Sequence, residues 1–314
     1  MTEVESTGSG NWASGGIWSG GVARAGNGHD VIIKDGHNVT ISQDEQANSI
    51  TVEAGGTLTA SGERTITIDN EGTSGSGTEG YAANIDGHVS GTLNLTSTKD
   101  GTTYLDLVCQ SGNVHDLTIN TSGSDYKILV GNTTLTGTLW VKDGNLKMNG
   151  DSDTLSVTED IRLGSGSDAG FFGHNDHDGA IDARSLWIEV GTSTFTSTEG
   201  VLTLDGELSD YVINNDGVFV HNSGTVTITT AATTRIDGAG VSGNQFYNLI
   251  INHASAVVEM YSDITVANNL IITAGQLTTG VGGYGYSNLT VTGTTEIGPD
   301  SGAADQATLT CNSS

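Results

Sequence analysis

Apolar residues in this chain come in short alternating runs. Val31-Ile32-Ile33, Ile66-Thr67-Ile68, Leu93-Asn94-Leu95, Leu117-Thr118-Ile119, Val226-Thr227-Ile228 and Leu289-Thr290-Val291 set aliphatic side chains two positions apart, mostly with Thr or Asn between them. A period of two marks a strand with one face in a core and the other in water. The gathering of apolar residues into such runs also separates the chain from a disordered one, despite its high charge.

The runs recur inside a longer unit. Ile50-Thr51-Val52-Glu53-Ala54-Gly55-Gly56-Thr57-Leu58, Leu139-Trp140-Val141-Lys142-Asp143-Gly144-Asn145-Leu146 and Leu270-Ile271-Ile272-Thr273-Ala274-Gly275-Gln276-Leu277 share the order apolar-x-apolar-x-x-Gly-x-Leu, with one extra Gly in the first copy. Each copy ends at a Gly a few residues on (Gly62, Gly150, Gly280), and weaker copies lie at 31–39 and 202–208. The unit reads as strand, tight corner, strand, with Gly supplying the positive φ or close approach that a corner requires. Stacked repeatedly, it predicts an all-β fold: an elongated β-solenoid, or parallel β-helix, with irregular loop insertions. At about 4.8 Å between strands and roughly 20 to 25 residues per turn, the body would be a rod on the order of 60 Å long.

The rival expectation is a set of hairpins in tandem β-sandwiches. It draws on Asp-Gly, a strong hairpin-turn signal, at Asp35-Gly36, Asp86-Gly87, Asp143-Gly144, Asp205-Gly206, Asp216-Gly217 and Asp237-Gly238. The brevity of the runs and the near absence of Pro from the corners favour the solenoid.

Residues 1–30 read as an N-terminal cap, because the Gly- and Ser-rich stretch 6–21 carries Trp12 and Trp18, which are expected to plug the open end of the coil. Residues 31–314 read as the solenoid body, with insertions near 70–80, 164–183 and 281–287. Thr308-Leu309-Thr310-Cys311 still reads as a strand, so a partner or further chain is expected to continue the stack.

Composition supports strand over helix: Gly numbers 46 and Pro 1, and the strong helix formers are scarce beside Thr, Val, Ile and Gly. With Lys and Arg totalling 10 against 37 Asp and Glu, the formal charge of −27 excludes nucleic acid and disfavours polyanionic sugars. The opening Met1-Thr2-Glu3-Val4-Glu5 has no basic or apolar leader character, and no run approaches membrane-spanning length. No Sec export and no membrane insertion are therefore expected. A protein of extracellular character without an export signal fits a virion component released by lysis, or a fragment whose signal has been removed. Cys109 and Cys311 match no metal-ligand spacing; two buried free thiols are expected, with one long-range disulfide as the alternative.

Gly10-Asn11-Trp12, Trp18-Ser19-Gly20-Gly21, Asp30-Val31-Ile32-Ile33 and His37-Asn38-Val39-Thr40-Ile41 resemble the opening of many bacterial and phage surface solenoids. Phe246-Tyr247-Asn248-Leu249-Ile250-Ile251, followed by Asp263-Ile264-Thr265-Val266 and Asn269-Leu270-Ile271-Ile272, is similar to the repeat of adhesin-type parallel β-helices and of structural proteins of tailed phages. The two regions cover about a third of the chain. The motif is generic to β-solenoids, so the resemblance implies a fold and not an activity.

The densest polar cluster is Asp168-Ala169-Gly170-Phe171-Phe172-Gly173-His174-Asn175-Asp176-His177-Asp178. Its His174, Asp176, His177 and Asp178 are candidate metal ligands, for which Ca²⁺ suits the hard oxygen donors better than zinc. The bland reading is a solvated loop tip, with Phe171 and Phe172 packing on the coil or marking a contact surface. The acidic pairs Asp151 and Asp153, Glu159 and Asp160, and Asp205 and Glu207 read as solvated strand surface before they read as a glycosidase acid and base. Basic residues are sparse, and no nucleophile elbow, phosphate-binding loop or Cys-His arrangement is present. No enzyme is expected and no catalytic residue is assigned.

Tyr81, Tyr104, Tyr126, Tyr284 and Tyr286 lie in or beside loop-like segments, where tyrosine stacks on sugars or anchors a protein contact. Together with Phe171 and Phe172 they are the candidate binding residues. The resulting expectation is a structural or appendage protein of a phage virion (fibre, tail or capsid decoration). Its partners would be other virion or surface proteins in a homo-oligomer or ordered assembly. The alternative is an extracellular carbohydrate-binding adhesin or tailspike-like polysaccharide depolymerase, whose ligand would be a cell-surface glycan.

Overall fold

The computed structural model describes residues 2–22, 25–26, 28–69, 80–98, 101–173, 176–206, 210–238, 245–279, 287–298 and 307–311. Among these the chain is all-β, with two short 3-10 segments, Gly15–Ile17 and Ser19–Gly21, and no α-helix. No helix among them is long and apolar enough to cross a membrane. The chain divides into two compact units, Met1–Asp153 and Thr154–Ser314. The alternating pattern continues through that division unchanged, which is why the sequence reads as a cap and one body.

In the first unit, Thr2–Glu5, His29–Ile33, Ser49–Val52, Tyr81–Ile85, Thr103–Asp106, Tyr126–Val130 and the second half of Leu139–Met148 pair in parallel, each strand with the one a pass of the chain later. Their register lines up Val4, Val31, Ile50, Ala83, Leu105, Leu129 and Met148 in one buried column. A second column runs through Ile66, Leu95, Leu117 and Leu139. In the second unit, Leu155, Ile181, Leu202, Val226, Leu249 and Leu270 form the equivalent column. Beside it Phe172, Phe195 and Phe219 stack with centroids 5.2 and 5.9 Å apart, and Phe246 follows at 5.5 Å. Each fully buried Leu, Ile or Phe contributes about 1.5–3 kcal/mol, so these columns hold one pass on the next.

These strands pair in parallel, so the hairpin reading of the Asp-Gly dipeptides does not hold. The dipeptides still turn the chain: Gly36, Gly144 and Gly206 have φ of 73°, 91° and 61°. What they form are corners between consecutive strands of one pass, because a parallel partner lies a whole pass away and no tight turn can reach it. The motif glycines behave as the repeat requires, with Gly55, Gly144 and Gly275 at φ 82°, 91° and 88°.

At corners the ladder is interrupted, and side chains take over the orphaned backbone donors. Asn94 Oδ1 accepts the Asp116 N–H at 3.3 Å, and Asp116 Oδ1 accepts the Thr138 N–H of the following pass at 2.7 Å. Asn269 Oδ1 accepts from the Thr294 hydroxyl at 2.7 Å. Asp263 accepts the Asn288 N–H at 2.7 Å and its carboxamide at 3.1 Å. The Asn288 backbone N–H, and then its side chain, hold the Asp263 carboxyl below the usual range. A depressed folded pKa stabilises above the unfolded value and is lost as pH falls through the folded one. Asp263→Ala is therefore expected to cost about 1 kcal/mol at neutral pH. Urea denaturation should show that penalty shrinking well below the ordinary carboxylate range; a penalty independent of pH would contradict the assignment.

Trp12 and Trp18 are buried and pack edge-to-face at 5.3 Å. Their indole N–H groups donate to the Ala25 and Trp12 carbonyls at 2.9 and 2.7 Å. Both cysteines are free thiols, but neither is in the core: Cys109 is half-buried and Cys311 exposed. Burial still pushes the Cys109 thiol up to about 11. Of the three expected insertions, 70–79 and 281–286 lie outside the described residues. Within the third, 164–183, the strand Gly170–Phe172 joins the parallel pairing through Thr194–Thr196.

Candidate functional site

The first unit brings three of the sequence-predicted tyrosines onto neighbouring strands. Tyr104 lies opposite Tyr81 and opposite Ile128, two residues along the strand from Tyr126. A two-residue offset keeps a side chain on the same face of the pleat, so all three point outward. Tyr81 and Tyr126 are 44% and 39% exposed, and the Tyr81 and Tyr104 rings sit 5.6 Å apart. Lys147 of the next pass places its ammonium 4.9 Å from the Tyr126 ring centroid. The same strand hides a cation: Lys127 is 1% exposed, and its ammonium donates to the Gly101 carbonyl at 2.8 Å and the Thr103 hydroxyl at 3.0 Å. An inward lysine within an apolar run was not foreseen.

The other candidates divide by strand phase. Phe171 is 37% exposed, whereas Phe172 faces inward and stacks on Phe195, so it is a core residue and not part of a contact surface. His177 is 2% exposed while Asp176 and Asp178 are exposed, so the histidine is buried where its neighbouring carboxylates are not. His174, Tyr284 and Tyr286 lie outside the described residues. Among the described residues no group of three or more His, Cys, Asp or Glu converges as a metal site. One member of each of two acidic pairs holds the fold: Asp153 accepts the Gly131 and Gly150 N–H groups at 3.1 and 2.8 Å, and Asp160 accepts from Arg184 Nε at 2.9 Å. Glu207 lies outside the described residues.

The second unit carries a row that sequence reasoning missed. Arg162 stands opposite Trp187, Tyr211 opposite Arg235, and Arg235 opposite Glu259. Trp187 pairs with Asn214 in the ladder, and its ring meets that of Tyr211 edge-to-face at 5.8 Å; Tyr261 meets Tyr211 at 6.1 Å. The Arg235 guanidinium lies 5.7 Å from the Tyr211 ring and 4.9 Å from the Tyr261 ring, and Arg162 lies 5.9 Å from Trp187. Carboxylates match the cations: Glu189 accepts from both Nε and Nη2 of Arg162, and Glu259 approaches Arg235 at 3.5 Å.

The indole itself is fixed from below. Trp187 Nε1 donates to Ser185 Oγ at 2.7 Å, and the fully buried Ser185 hydroxyl donates to Asp160 Oδ1 at 2.6 Å. Asp160 in turn holds Arg184, and that hydrogen bond chiefly raises the guanidinium further above its ordinary value.

No family model, curated protein or solved structure matches the chain. One signal in the sequence could have exposed the row. Arg162, Trp187, Tyr211, Arg235 and Glu259 recur at nearly constant spacing, one per pass, each in the outward phase of its strand.

Proposed function

We propose that the chain is a non-enzymatic structural or appendage protein, built as a β-solenoid of the parallel β-helix kind and displayed on a phage virion or comparable extracellular surface. The observation that carries this reading is the register. Within each unit, parallel strands a pass apart stack equivalent aliphatic residues into continuous columns, and polar corner residues hand hydrogen bonds from one pass to the next. Such an arrangement spends the sequence on a regular scaffold and leaves outward positions for contacts. The strongly acidic composition suits a surface bathed in salt and divalent cations, which screen self-repulsion. The motifs at 10–41 and 246–272 resemble phage and adhesin solenoids alike, which supports a surface role common to both. Its partners would be further copies of the chain or other particle proteins.

Light scattering on the purified chain, alone and mixed with disassembled particle proteins, tests the role. An ordered homo-oligomer, or co-elution with a particle protein, is expected. A monomer at every concentration that co-elutes with none of them would overturn the reading.

A further inference from the structure

We infer that the outward row Arg162, Trp187, Tyr211, Arg235 and Tyr261 in the second unit is a binding site for a neutral polysaccharide chain. The inference goes beyond the scaffold role and does not depend on it.

Three observations carry it. The first is preorganisation. Ser185 and Asp160 fix the Trp187 indole, Glu189 and Glu259 hold the guanidinium groups, and Arg235 is set against two tyrosine rings. A ligand meeting this row has little side-chain freedom left to freeze, which removes a main cost of binding at an exposed surface.

The second observation is the inventory of groups. Aromatic rings, planar guanidinium donors and carboxylate acceptors lie side by side along the row and suit a sugar's C–H faces and its hydroxyls, since a hydroxyl both donates and accepts. The aliphatic side chains of Leu155–Leu163, Ile181–Ile188, Tyr211–Asn215 and Thr233–Asp237 are all turned into the core. The row's accessible surface is thus made by its rings and polar groups and not by aliphatic side chains. Strands stacked about 4.8 Å apart repeat these groups at close to the length of one pyranose unit, so a chain lying along the stack meets an aromatic or guanidinium group at each step.

The third observation is charge. Each of Arg162, Arg184 and Arg235 is matched to a carboxylate, and the chain as a whole is at −27. The row thus offers no net positive field, and uronate or sulfated chains would be repelled.

Affinity electrophoresis of the intact chain tests the inference, in native gels containing dextran, soluble starch, hydroxyethyl cellulose or, as the acidic comparator, polygalacturonate. Retardation by at least one of the neutral polymers and not by polygalacturonate is expected. Trp187→Ala should weaken it about tenfold, with the fold verified by circular dichroism. If that variant does not fold, Arg235→Lys keeps the charge while removing the planar group over both tyrosines, and should weaken retardation severalfold.

No retardation by any neutral polymer, retardation by polygalacturonate alone, or retardation unchanged in folded variants would each overturn the site. Loss of self-association in the same variants, without polysaccharide retardation in the parent chain, would make the row a protein contact and overturn it as well.

Discussion

Phe195→Ala is expected to destabilise the second unit by about 3–5 kcal/mol, the usual cost of emptying a phenylalanine site in a packed core. Phe195 is fully buried, and its ring is nearly parallel to those of Phe172 and Phe219, at 12° and 15°. The substitution removes the largest side chain of its layer and leaves a face of each neighbour uncovered. Aromatic pairs add about 0.5–1.5 kcal/mol beyond buried area, so the loss should exceed that of truncating a single aliphatic in the adjacent column. The backbone around it is held by parallel ladders on both sides, through Thr194–Thr196 with Gly170–Phe172 and with Val218–Val220. Those ladders limit how far the walls can collapse into the gap. Urea denaturation followed by circular dichroism would measure the cost; a loss below about 1 kcal/mol would mean that the stack is not the interior of the unit.

The second large effect is expected at Gly275, where alanine should cost about 3 kcal/mol or more. Its φ of 88° is a conformation that costs an L-residue about 1–2 kcal/mol. A Cβ there would also stand 2.5 Å from the His253 carbonyl oxygen and 2.8 Å from that of Ala256. These are backbone atoms of the preceding pass and cannot swing aside, so steric conflict adds to the strain. Gly36 separates the two contributions, since it has φ 73° with nothing within 4 Å of its would-be Cβ. Gly36→Ala should therefore show the conformational cost alone, about 1–2 kcal/mol. Equal denaturation midpoints for the two variants would show that close approach between passes is not what the corner glycine provides.

Much of the fold was legible because burial and alternation are local properties. Ile66 and Ile68 face inward while Thr67 does not, and no knowledge of partners was needed to see it. The positive φ of Gly55, Gly144 and Gly275 followed likewise from the repeated corner. What escaped were properties of register. Asp-Gly is compatible with a hairpin or a corner, and only the partner a pass away decides between them. Adjacent Phe171 and Phe172 were equivalent until the strand Gly170–Phe172 fixed which one faces in. His177 was grouped with Asp176 and Asp178 because they are consecutive, yet His177 is buried while both carboxylates are exposed. The row from Arg162 to Tyr261 was hidden for the opposite reason. Its members are far apart in the chain, look like isolated surface residues one at a time, and meet only when parallel pairing brings successive passes together.

Parallel registry with one equivalent side chain per pass also makes the length of the chain quantised. Leu202 pairs with Ile181 on one side and with Val226 on the other. Excision of residues 202–225 would present Val226 to Ile181 in the place Leu202 held. Loss of a single residue would instead invert inside and outside along its strand. Deletion of a whole pass is thus expected to disturb this buried column less than deletion of one residue from a strand.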